Sequence, residues 1–249
     1  MSLFLFVTLL VITSASLPAS SGNTPYVVLP RNITALSGSC VQTPCTFNVS
    51  DFEDKLRTTK GIFGYWLKRT YQFSDFVFNS SGPIIKGFSL IEMVGNLSRR
   101  ECSTVFYNVK NNHSDVYFFR IQMEPNILRF TFANPVNINV LDVAKPPKLN
   151  DLPEVMEGTA VNLICSAEVP CPKQPPTLSW TNIPKSANIT TQLQEKPDKT
   201  HSVFSSMTFN ASYMDHKMNI SCTATYPRNI FNNTTVNSTV MLQVLCKRI

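Results

Sequence analysis

In the second half of the chain, Trp180 follows Cys165 by 15 residues, and Cys222 follows Trp180 by 42. The approach to the first cysteine, Glu157-Gly158-Thr159-Ala160-Val161-Asn162-Leu163-Ile164-Cys165, reads as a turn running into a strand. Two cysteines and a tryptophan at these intervals mark two packed sheets joined by a disulfide, with the indole against the bridge. The chain has 249 residues, enough for two domains of about 100 residues each once a leader is set aside.

The spacing is that of an immunoglobulin sandwich, and the short interval between Trp180 and Cys222 makes residues 152–245 a constant-type domain. Residues 22–142 read as a V-type domain, and 143–151, with Lys145-Pro146-Pro147-Lys148, as a short stiff linker. The chain is therefore expected to be all-β, two immunoglobulin-like sandwiches in tandem. In the first, residues 26–29 and 32–36 read as a split first strand, 39–49 as strand B and 61–69 as strand C, with Trp66 as its core tryptophan. Residues 75–79, 87–94, 101–109, 115–122 and 127–141 follow as strands C′, D, E, F and G.

Strand F, Asp115-Val116-Tyr117-Phe118-Phe119-Arg120, departs from the usual pattern. An immunoglobulin domain carries Tyr-x-Cys there, its cysteine facing the core; here Phe119 takes that place. Alternation sends Tyr117 and Phe119 inward, and Phe118 and Arg120 outward. Arg120 is then a guanidinium on a rigid strand, able to grip a carboxylate with two parallel hydrogen bonds.

The chain has seven cysteines. Cys165 and Cys222 form the conventional bridge of the second domain. Cys45 lacks its usual F-strand partner, and Cys102, on a strand of the same sheet, is available to it. Cys40 and Cys171 remain, and pairing them would staple the two domains together, although six cysteines allow fifteen connectivities. Cys246 is left over, as a free thiol, an intermolecular bridge, or half of a bridge to sequence not present here.

Residues 1–21, with an apolar run over 3–12 and small residues after it, read as a secretory signal peptide. A run of that length is too short to cross a bilayer, which takes about 20 residues. Asn-x-Ser/Thr sequons at Asn32, Asn48, Asn79, Asn96, Asn112, Asn188, Asn210, Asn219, Asn232, Asn233 and Asn237 fit an oxidising, glycosylating route. The chain is expected outside the cell, secreted as written or held at the plasma membrane in a longer form. A net charge of +6 without any Lys/Arg-rich run offers no case for nucleic acid.

Taken together, several stretches resemble the Siglecs, the sialic-acid-binding immunoglobulin-like lectins, close to their sialoadhesin and myelin-associated-glycoprotein branches. These are Leu36-Ser37-Gly38-Ser39-Cys40, Pro44-Cys45-Thr46-Phe47, Phe63-Gly64-Tyr65-Trp66, Arg100-Glu101-Cys102-Ser103, Tyr117-Phe118-Phe119-Arg120 and Pro170-Cys171-Pro172. The resemblance implies a V-type lectin head followed by constant-type domains, and the pairings Cys45–Cys102, Cys40–Cys171 and Cys165–Cys222. It implies that Arg120 binds the carboxylate of a terminal sialic acid. It also implies an aromatic on strand G for the sugar's glycerol side chain, here Phe130, or Phe132 if the register is shifted by two, with Arg129 beside it. Tyr26 is the candidate for the aromatic that meets the acyl methyl group, and residues 70–81 would flank the site. Such a site is shallow, worth about −4 to −6 kcal/mol, and adhesion through it needs many copies meeting many sialylated glycans.

One alternative is an immunoglobulin receptor for a protein ligand, with Arg120 a rim charge and Tyr71, Phe73 and Phe76 as exposed anchors. Enzyme chemistry finds no support. His113, His201 and His216 lie beside sequons or turns, without a nucleophile motif or metal-ligand spacing, so neither a metal nor a cofactor is expected. Asp51, Glu53 and Asp54 read as a solvated loop, and Asp115 as the partner of Lys86 or Arg99 at the base of the sandwich.

Overall fold

The computed structural model describes residues 24–70, 72, 75–82, 86–125, 127–228 and 233–246. The leader, Tyr71, Phe73 and Asn232 lie outside them. The first domain comprises β1 (Tyr26–Val28), β2 (Asn32–Leu36), β3 (Val41–Thr43), β4 (Thr46–Asn48), a short helix α1 (Phe52–Thr58), β5 (Gly61–Lys68) and β6 (Phe76–Asn79). After these come β7 (Leu90–Met93), β8 (Thr104–Tyr107), β9 (Asp115–Glu124), β10 (Leu128–Thr131) and β11 (Val136–Leu141). One sheet runs β2-β11-β9-β5-β6 with β10 also on β9; the other runs β3-β8-β7, with β1 paired to β4.

Between these sheets β9 sends in Tyr117, Phe119, Ile121 and Met123, all fully buried. Phe119 fills the level where a disulfide would otherwise sit. Its ring stacks on Phe132 at 6.0 Å between centroids and meets Trp66 at 5.4 Å and Phe47 at 5.7 Å. Aromatic pairs of this kind add about 0.5–1.5 kcal/mol each beyond the area they bury. The disulfide has moved into one sheet: Cys45 is bonded to Cys102, and the Cys102 N–H donates to the Cys45 carbonyl at 2.8 Å. Closing that loop is worth ~4 kcal/mol on the chain-entropy model.

The second domain holds β12 (Lys148–Leu149), β13 (Val155–Met156), β14 (Ala160–Val169), β15 (Thr177–Thr181), β16 (Asn188–Glu195), β17 (His201–Asn210), β18 (Met218–Tyr226), β19 (Thr234–Leu242) and β20 (Val244–Leu245). Its sheets run β12-β14-β17-β16 and β15-β18-β19, the four-on-three arrangement of a constant-type sandwich, bridged by Cys165–Cys222. The two domains solve one polar problem in the same way. Buried Trp66 donates its Nε1–H to Thr104 Oγ1 at 2.9 Å, and buried Trp180 donates to Ser205 Oγ at 2.9 Å. Each indole thereby keeps a hydrogen bond that burial would otherwise cost it.

Cys40–Cys171 joins the domains. Around it, the Gln42 N–H donates to the Pro170 carbonyl at 2.8 Å, and Arg228 Nε donates to the Ser37 carbonyl at 2.7 Å. Lys173 Nζ reaches Glu92 Oε2 at 2.7 Å and Tyr107 Oη at 3.1 Å. Lys148 and Leu149, within the stretch read as linker, already pair with β14.

Three local expectations are corrected. Asp115 pairs with neither Lys86 nor Arg99; it accepts from Arg69 Nε at 2.7 Å and lies 3.8 Å from Lys68, because β5 runs antiparallel to β9 and brings its own basic end there. Residues 52–58 are helical rather than loop: Phe52 is buried, and Glu53 is paired with Arg100 at 2.7 Å. Phe76 is half-buried, edge-on to Tyr65 at 6.0 Å and beneath the Lys86 ammonium at 4.2 Å, so it is not an open anchor.

Buried His113 closes the base of the domain. Its Nδ1 accepts from the Lys110 N–H at 3.0 Å, its Nε2 lies 2.8 Å from the Gly87 carbonyl, and its ring lies 3.9 Å from that of Phe88. The Tyr117 hydroxyl donates to its carbonyl at 2.6 Å. An Nδ1 that accepts must be unprotonated, and burial, the largest influence, pushes the His113 pKa down. The unfolded imidazole, with a pKa of about 6.5, binds a proton that the folded one refuses. Stability from this site is present above that pH and is lost as pH falls below it. Denaturation followed through Trp66 in a Trp180→Phe background should show the first domain less stable at pH 5.5 than at pH 7.5, with a smaller difference in His113→Gln.

Candidate functional site

Alternation along β9 places Val116, Phe118, Arg120 and Gln122 on the face of the sheet turned away from the core. Opposite Arg120 stand Tyr65 of β5 and Thr131 of β10. Thr131 Oγ1 accepts from Arg120 Nη1 at 2.9 Å, which fixes the guanidinium against the strand. Arg120 is half-buried. Burial first, and the Arg129 guanidinium second, push its pKa down. An arginine begins so far above neutrality that it remains a cation. A partly desolvated cation held by its neighbours loses little further freedom on binding an anion, and charge-assisted bonds to it are the strong ones.

The floor beside Arg120 is apolar. Tyr65, Leu67 and Phe118 form a buried cluster on this outer face, flanked by Phe63, Phe76 and Val116. Sequence alternation places Phe118 outside the core, and the structure adds that it is covered there, only 7% exposed.

The partners expected around Arg120 divide between the two faces. Arg129, opposite Gln122, is exposed and shares the face of Arg120. Phe130 does not: it lies opposite core-facing Ile121, packs against the core, and meets Phe132 edge-on at 5.0 Å. Phe130 is half-buried, and Phe132 is fully buried, 2% exposed. The assignment of a strand-G aromatic to the ligand face is therefore corrected for both phenylalanines; the β9–β10 register turns them inward. Tyr26 is 52% exposed, but β1 pairs with β4 and not with the sheet that carries Arg120. Tyr65, which no sequence argument singled out, is the aromatic directly opposite Arg120; its place across β5 from the F-strand arginine was the available signal.

Of the sequon asparagines, Asn32, Asn96, Asn112, Asn188, Asn210, Asn219, Asn233 and Asn237 are exposed, while Asn48 and Asn79 are half-buried. Asn79 pairs across from Tyr65, on the strand next to the site. Among the described residues, Cys246 is the free cysteine and is exposed, and no helix is long and apolar enough to cross a membrane.

The face assignment has a direct consequence for stability. Phe130→Ala should destabilise the first domain by about 2–4 kcal/mol as a core truncation, and Arg129→Ala by less than about 0.5 kcal/mol as a surface change. Denaturant titration separates the two.

The chain is 30% identical over 183 residues to human myelin-associated glycoprotein, an alignment covering 71% of this chain and 28% of that protein. It is 25% identical over 230 residues to mouse myeloid cell surface antigen CD33, covering 89% and 53%. With mouse sialic acid-binding Ig-like lectin 10 it shares 27% over 164 residues, covering 62% and 23%. The chain thus spans between about a quarter and a half of the length of these curated relatives. No family model matches it. By likenesses that extend across both sandwiches, the chain belongs to a Siglec-like family.

Proposed function

We propose that the first domain is a lectin head that binds terminal sialic acid on glycoproteins and glycolipids outside the cell, for adhesion or recognition. The observation that carries this reading is Arg120, held by Thr131 on the outer face of β9 beside the Tyr65 ring. A sialic acid offers a carboxylate for the guanidinium, and its C3 methylene and acyl methyl are the parts that can meet an apolar floor. Two parallel N–H···O bonds on a half-exposed face suit recognition of a planar anion, and Arg129 adds a second positive charge on the same side. With Phe130 turned inward, the contact rests on the ion pair, Tyr65 and strand backbone. That supports a weak single-site affinity, in the millimolar to high-micromolar range of about −4 to −6 kcal/mol. Function then depends on clustering.

A multivalent fusion of residues 22–245 should bind sialylated cells and lose that binding after sialidase. Arg120→Ala should abolish binding. Arg120→Lys should weaken it severely, because a lysine keeps the charge without the planar fork. Binding that survives both sialidase and Arg120→Ala would instead identify a protein ligand.

A further inference from the structure

Between the two domains, away from Arg120, lies a cleft of about 380 Å³. This is within the size range of small-molecule sites. Its apolar walls include Val143, Ala144, Pro146, Pro170 and Tyr226. Four lysines are among its lining residues: exposed Lys145 and Lys148 from the connection and β12, and Lys196 and Lys199 from the turn between β16 and β17.

The charges do not balance locally. Lys196 is paired with Glu168 at 2.5 Å and Lys199 with Glu195 at 2.6 Å. Asp198, the other acid in the lining, is engaged by the Thr200 N–H and hydroxyl at 3.0 and 2.6 Å. Lys145 and Lys148 have no carboxylate within ion-pair distance among the described residues. The cleft therefore combines an apolar stretch of wall with two lysines that have no ion-pair partner among the described residues.

It is also built to keep its shape. The Cys40–Cys171 disulfide, the Gln42–Pro170 backbone bond and the Arg228–Ser37 bond tie together the domains that form its two sides. A site preformed in this way loses little freedom when a ligand enters.

We infer that this cleft binds a small amphiphilic anion, a carboxylate or sulfate head on a short apolar body, with Lys145 and Lys148 receiving the head and the proline–tyrosine wall the body. The lysines alone attract any anion and the wall alone any small apolar molecule; only together do they select a molecule with both parts. The site is independent of the lectin face.

Hexyl sulfate, inorganic sulfate and hexanol titrated into the glycosylated two-domain chain by calorimetry test this. Hexyl sulfate should bind saturably, at about millimolar affinity, with sulfate and hexanol each at least about tenfold weaker. Lys145→Glu/Lys148→Glu should weaken hexyl sulfate binding at least about tenfold and Lys145→Gln/Lys148→Gln about threefold, while Arg120→Ala leaves it unchanged. The inference is overturned if hexyl sulfate does not bind saturably, if hexanol binds as tightly, if the lysine variants bind as well as the parent, or if Arg120→Ala removes the binding.

Discussion

The pleat of a β-strand allows a side chain one of two faces, and in β9 that choice separates the core from the site. Phe119 and Arg120 are adjacent in sequence and serve opposite sides of the same sheet. Packing on one side makes the other rigid. Phe119 packs against Phe47, Trp66 and Phe132, which anchors the strand that carries Arg120 to the core. A one-residue slip would bury a guanidinium between the sheets and expose a phenylalanine, which is why a strand with one buried face fixes its register so firmly. The aromatic core of the first domain thus supports the candidate site, although none of it touches that surface.

The displaced disulfide follows from the same constraint. An intersheet bridge at the level of Phe119 would leave no space for the ring, and a ring there leaves no cysteine for Cys45 to reach across the sandwich. Bonding Cys45 to Cys102, on a neighbouring stretch of the same sheet, retains a loop-closing crosslink and leaves the intersheet space for side chains. The second domain keeps the ordinary bridge, and its interior is correspondingly less aromatic.

What could be read from the sequence was whatever depended on type and short spacing. Cys–Trp–Cys intervals, strand periodicity and the outward turn of Arg120 all require only local rules. What could not be read depended on how strands meet. Whether Phe130 faces outward or towards the core is decided by the β9–β10 register, which sets Phe130 against Ile121 and Thr131 against Arg120. The sequence offers alternating candidates there and no means of choosing between them. The partner of Asp115 is hidden from the sequence for a similar reason. Its partners, Lys68 and Arg69, come from the end of an adjacent antiparallel strand, a placement that no local spacing reveals. The cover over Phe118 was likewise invisible, because alternation predicts a face and not what packs upon it.

Joining the domains through Cys40–Cys171 would have a mechanical meaning for the weak site proposed at Arg120. A single shallow contact releases its ligand readily, so useful binding depends on several heads engaging at once, and that depends on their being presented in compatible directions. A flexible hinge between the sandwiches would let each head sample many orientations, and that freedom would have to be lost on every multivalent engagement. Here the disulfide, the Lys173–Glu92–Tyr107 contact and the Arg228–Ser37 bond hold the head to the next domain from several sides. The orientational cost is met once, on folding. Rigidity between the domains would therefore compensate for the modest strength of the contact proposed at Arg120, and the same bracing frames the cleft between them.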